Sequence, residues 1–131
     1  MSTDAERIER GRQTMMKLLG PRAGERSGIM YEMNPEFADL VIGVLFGEIW
    51  SDETIPLKTR SFCTMTALIV LNRQEELRIH IRGALNVGIT KQEILALIAH
   101  MAFYGGMPVA VESLRTAKAV FERWDAAQAK K

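Results

Sequence analysis

The sequence predicts an all-α protein, a single-domain bundle of about six helices spanning residues 1–131. Three observations carry that expectation. Apolar residues recur at three- and four-residue spacing along almost the whole chain, which is the repeat of one helix face. No Asn-Gly or Asp-Gly pair and no sustained period-two run marks a hairpin,. Helix-start signals punctuate the pattern, above all Asn34-Pro35 and Thr90 followed by Glu93,.

Taken in order, residues 4–19 read as a charged N-terminal helix ended by the breaker "GPRAG". Asn34 caps a second helix with Pro35 at its first position, and Phe37, Leu40, Val41, Val44 and Leu45 mark its expected buried face,. A third helix begins near Pro56, and its uncharged run from Ser61 to Leu71 reads as the buried central element,. "LNRQEE" is a turn or kink before a fourth helix over about 73–87, which Gly88 closes in the left-handed conformation,. Thr90 and Glu93 form a capping box for the fifth helix, which buries Ile94, Leu97, Ile98 and Met101 and ends at "YGGMP",. The sixth helix runs from Pro108 to about Trp124 with Val111, Leu114, the Lys118 stem and Phe121 along its inner side, and residues 126–131 read as a frayed tail.

Composition narrows the function classes. A chain of 131 residues with 47% hydrophobic and 25% charged residues is long enough for a real core and ordinary for a globular protein,. A net charge of +1 offers no electrostatic case for nucleic acid or an anionic membrane,. The polar start "MSTDAERIERGRQ" lacks the apolar core of a signal peptide,. The uncharged run in the middle of the chain, Ser61 to Leu71, is about half the ~20 residues of a membrane span,. One cysteine, Cys63, leaves no disulfide framework, and within an apolar run it is expected to pack as a small hydrophobe,. These readings suit a cytoplasmic protein whose partners are small molecules or copies of itself.

Candidate chemistry sits where polar residues interrupt apolar stripes, because burial of a charge costs free energy unless something compensates it. Glu48 continues the stripe of Val41, Val44 and Leu45. It is either inward-facing or a solvated residue at a frayed helix end. His80 falls between Leu77, Ile81 and Ala84, with Glu76 one turn before it and Arg73 a further turn back. A carboxylate four residues away fixes an imidazole tautomer or raises its pKa, which suits proton transfer. A hydrogen-bonded core histidine fits the same pattern. His100 and Tyr104 share a face ahead of two glycines, and Arg60 stands where a guanidinium could clamp a carboxylate,. Interface or capping roles are the plain alternatives for these three. Arg78 and Arg82 read as a solvated face. There is no HExxH and no glycine-rich phosphate loop, so no metal site is expected,.

"GEIW" followed by "LKTRSFCTMTALIVLNRQEELRIHIRGALNVGITKQEILALIAHMAFYGGMPVAVESLRTAKAVF" resembles the carboxymuconolactone decarboxylase family over roughly residues 20–122. The resemblance implies the alkylhydroperoxidase D-like fold and a homo-oligomer, a hexamer or a trimer. The peroxidase branch of that superfamily carries Cys-x-x-Cys with the second cysteine four residues before a helical histidine. Aligned on His80, those positions are Arg73 and Glu76, and Cys63 has Thr66 where a partner thiol would stand. Thiol–disulfide exchange needs both thiols, so the resemblance points to the decarboxylase branch.

The implied substrate is 4-carboxymuconolactone in protocatechuate breakdown by the β-ketoadipate route, and the implied cofactor is none. Electrons released with carbon dioxide delocalise onto the lactone carbonyl, so the substrate is its own electron sink. The protein must then supply a cation for the retained carboxylate, a donor at the developing oxyanion and an acid for the ring carbon. The resemblance implies His80 as the proton donor, oriented by Glu76 or Glu48, with Glu48 as the alternative acid. Arg60 or Arg73 would hold a carboxylate, and Tyr104 or His100 the oxyanion. A decarboxylase-like enzyme with another substrate and a non-enzymatic helical scaffold are the rival readings.

Overall fold

The computed structural model describes residues 4–131, and every regular element among them is helical. They form two compact units, one ending at Leu57 and the other spanning Lys58–Lys131.

In the first unit, α1 (Asp4–Leu19) opens with Asp4 and Glu6 and closes with Lys17, charges matched to the helix dipole,. It stops at Gly20, whose φ of 99° favours glycine, and a 3-10 turn follows at Pro21–Gly24,. A short α2 (Ile29–Met33), which periodicity does not announce, precedes α3 (Pro35–Val41). Asn34 caps α3 as expected, its side chain accepting the Phe37 N–H at 3.1 Å,.

Beyond Val41 the helix widens into a π-helical segment, Ile42–Ile49, closed by the Trp50 N–H donating to the Leu45 carbonyl at 2.8 Å,. The inner face differs from the expected one, already within α3 and again along the wider segment. Phe37, Leu40, Val44 and Leu45 are exposed in the chain, and so is Glu48. Ala38, Ile42, Gly43, Phe46, Gly47 and Trp50 turn inward instead. The i→i+5 turn shifts the register, and the new face carries the glycines that let α1 approach. A Cβ on Gly11 would collide with the Ile42 carbonyl, and one on Gly47 with the Arg7 carbonyl.

In the second unit, α4 (Leu57–Val70) buries only Ser61, Met65 and Ile69. The uncharged run therefore reaches the core through one fully buried stripe, with Phe62 and Leu68 half-buried beside it and the opposite side exposed. Cys63 is exposed, which corrects its reading as a packed hydrophobe. Absence of charge marked this helix as apolar without saying how much of its circumference one chain covers.

Asn72 follows at φ 55°, the left-handed conformation that asparagine tolerates, and α5 (Gln74–Asn86) begins after it,. Gly88, φ 93°, closes the loop behind α5 as expected. The Thr90–Glu93 capping box is present at the start of α6 (Lys91–Gly105), and Ile94, Ile98 and Met101 are buried, with Leu97 half-buried.

The last helix, α7 (Met107–Ala129), is longer than its periodicity suggests and stays helical through most of the tail expected to fray. Its inner face is shifted by one residue from the expected one, to Ala110, Ser113, Ala117 and Val120. Val111, Leu114 and Lys118 are exposed and Phe121 is half-buried. Small residues seat α7 close to its neighbours, and Gln74 pins the contact with α5. Its amide donates to the Ser113 hydroxyl at 3.2 Å, and its carbonyl accepts from the Thr116 hydroxyl at 2.7 Å. Met65, Ile69, Leu77, Ile81, Ile94 and Ile98 form the centre of this core, each worth about 1.5–3 kcal/mol on burial. Among the described residues no helix is long and apolar enough to cross a membrane.

Candidate active site

Helix α5 carries the central candidate. Leu77, Ile81 and Ala84 are fully buried and fix which side of the helix faces the core. His80 stands at the edge of that side, half-buried, with Nδ1 shielded from solvent. Burial pushes its pKa below the ordinary histidine value, so the imidazole is neutral near pH 7,. The direction is opposite to the rise expected from Glu76. That carboxylate is exposed, and burial of the imidazole is what sets the direction. Arg73 is also exposed, at the cap position before α5. Positions 73 and 76 therefore sit on the outer side of the turn that precedes an inward histidine.

Helix α4 supplies Arg60, half-buried, and next to it Ser61, which the sequence did not single out. Ser61 is fully buried, and its hydroxyl has no hydrogen-bond partner among the described residues. An unsatisfied buried hydroxyl costs roughly 1–3 kcal/mol, and such groups call for an explanation in a ligand or a function. The available signal was its place at four-residue spacing with Met65 and Ile69. A serine there is polar on the one stripe of α4 that is fully enclosed.

His100 and Tyr104 come together as expected, with ring centroids 5.1 Å apart, but on the surface of the unit, Tyr104 being 75% exposed. Gly106, φ 104°, makes the sharp passage from α6 to α7 that the paired glycines announced. In the first unit Glu48 lies on the π-helical segment, and Arg7 Nη1 donates to its Oε1 at 3.3 Å. Arg7 is a partner the sequence gave no reason to expect, 41 residues away. No group of three His, Cys, Asp or Glu side chains that could hold a metal occurs among the described residues.

Fold and site together define an all-α protein with a helix-borne, neutral histidine and no thiol pair beside it. Comparison with known proteins makes the class specific. Residues 35–119 match the model of the carboxymuconolactone decarboxylase family. The chain is 33% identical over 120 residues to a 4-carboxymuconolactone decarboxylase of Acinetobacter baylyi, covering 91% of this chain and 90% of that protein. It is 31% identical over 98 residues to an uncharacterised 15.0 kDa protein of Paracoccus denitrificans, 73% of each chain. A nitrosuccinic acid decarboxylase of Metarhizium robertsii is 33% identical over 76 residues, 58% of this chain and 53% of that protein. The chain belongs to the carboxymuconolactone decarboxylase family. It is a decarboxylase, a carboxy-lyase.

Proposed function

We propose that this decarboxylase acts on 4-carboxymuconolactone or a closely similar carboxylated unsaturated lactone, in the β-ketoadipate route of protocatechuate breakdown. The observation that carries the reading is the likeness to the Acinetobacter decarboxylase across 90% of that protein's length. Loss of carbon dioxide leaves an electron pair that the ring double bond passes to the lactone carbonyl. The substrate thus supplies its own electron sink, and the protein's task is to hold carboxylates and deliver one proton.

We assign to His80 the hydrogen bond that holds the resulting enolate until its ring carbon takes up that proton. As a neutral imidazole it donates an N–H to the enolate as charge develops, and burial strengthens the interaction,. A neutral histidine acting as an electrophile at an enolate oxygen is established physical chemistry. Glu48, on the π-helical segment, is a candidate for returning a proton to the ring carbon. Arg60, half-buried and with a delocalised cation, holds the retained carboxylate,. The Ser61 hydroxyl is a donor with no hydrogen-bond partner among the described residues. The exposed Arg73, Glu76, His100 and Tyr104 serve this chemistry only if another copy of the chain encloses them.

A homo-oligomer, trimer or hexamer, is part of the proposal. Phe103 is 89% exposed, and Tyr104, Met107 and Leu114 lie open on the same stretch of α6 and α7, an apolar surface that favours association. The lone exposed thiol suits a reducing cytoplasm,. The nitrosuccinic acid decarboxylase favours a second reading, in which the substrate is another small carboxylate. Ultraviolet loss of 4-carboxymuconolactone by purified protein, with and without chelator, separates the two. Turnover unaffected by chelator supports the lactone reading; no lactone turnover, with carbon dioxide released from another small carboxylate, replaces it.

A further inference from the structure

We propose that the groove between α5 and α7 is a second binding site, for a small organic anion with a planar apolar body such as an aromatic carboxylate. The groove has a volume of about 530 Å³, within the range of roughly 300–1,000 Å³ typical of small-molecule sites. Arg78 and Arg82, one helical turn apart on α5, face Arg123 on α7 across it,. No acidic side chain lines the groove. Arg78 is paired with Glu75, whereas Arg82 and Arg123 make no ion pair among the described residues.

Between these cations the walls are apolar. Ile79 and Trp124 flank the groove and the buried Val120 closes its floor. Two guanidiniums without counter-charges repel each other, and a carboxylate bridging them removes that repulsion while making paired N–H···O bonds. An indole face and two aliphatic side chains offer a planar body a place to stack. Charge alone would suit inorganic phosphate, and the apolar walls alone would suit any hydrophobe. Together they select one molecule with both features. The site is distinct from the candidate active site, since neither His80 nor Ser61 lines it.

Titration calorimetry on the full chain tests this with three probes: naphthoate, naphthalenemethanol as its uncharged counterpart, and inorganic phosphate. Naphthoate binds one molecule per chain, and the other two bind at least about tenfold more weakly. Arg82→Gln and Arg123→Gln each weaken naphthoate by about tenfold, the worth of a charge-assisted pair, and Trp124→Leu weakens it similarly. The two arginine variants keep wild-type decarboxylation. Phosphate or the alcohol binding as tightly as naphthoate, unchanged binding in the variants, or no saturable binding would overturn the proposal. Loss of turnover together with loss of binding would also overturn it, by placing the anion in the active site.

Discussion

Gly47 lies directly against the main-chain carbonyl of Arg7, and a methyl group built on it would collide with that oxygen. Gly11 stands in the same relation to the carbonyl of Ile42. Helix α1 and the π-helical segment are thereby locked backbone to backbone, and the lock sets the Arg7 guanidinium beside Glu48. Main chain has no rotamer with which to yield. Gly47→Ala should therefore destabilise the protein by about 1–3 kcal/mol, the usual cost of overpacking. Gly43→Ala meets nothing closer than the Ile8 side chain at 3.4 Å and should melt near the wild-type temperature. Equal melting of the two variants would contradict the lock.

The buried imidazole of His80 gives stability a defined pH dependence. Its folded-state pKa lies below the unfolded value of about 6.5, because burial disfavours the charged form. Below that pH the unfolded chain binds the proton more readily than the folded one. The contribution is therefore complete above about 6.5 and is lost as pH falls through the window beneath it. Thermal melts from neutrality downward should show this loss, and His80→Gln should flatten part of the slope. An identical slope in the variant would contradict it.

Catalysis should follow the same titration. If the neutral imidazole is the working form, kcat/KM declines on the acid side of the ordinary histidine range and stays level above it. A histidine that worked as imidazolium would give the reverse, activity falling as pH rises. A pH–rate profile of wild type beside His80→Gln distinguishes these outcomes.

Ser61 separates stability from function. Removing an unsatisfied buried hydroxyl is neutral or stabilising by up to about 1 kcal/mol, so Ser61→Ala should melt at or slightly above the wild-type temperature. If the hydroxyl meets substrate, the same variant loses about tenfold in kcat/KM. Loss of stability, or full activity, would remove Ser61 from the site.

The helical architecture was legible because caps and breakers act locally. Asn34-Pro35, Thr90 with Glu93, and Gly88 each fix a boundary with a few atoms. The inner faces of α5 and α6 were legible because large aliphatic residues there repeat at helical spacing. The faces of α3 and α7 were not. At the first, Ala38 turns inward while Phe37 and Leu40 stay outside, and the π-helical segment that follows carries a register no hydrophobic pattern announces. At the second, alanine and serine pack inward beside larger residues that remain outside. His80 was legible as an interruption of a clean stripe. Ser61 and Arg7 were not, since one is small and the other's partner is 41 residues away.

The exposed apolar stretch at the α6–α7 passage predicts assembly. Phe103→Glu with Met107→Glu places charge on that surface and should reduce the mass measured by light scattering. An unchanged mass would move the interface elsewhere.

The most direct measurement is steady-state decarboxylation of 4-carboxymuconolactone by His80→Gln, with circular dichroism and light scattering to verify fold and assembly. The account predicts a fall in kcat of about a hundredfold or more, with KM little changed and the protein intact. Near-normal turnover by the intact variant would contradict it.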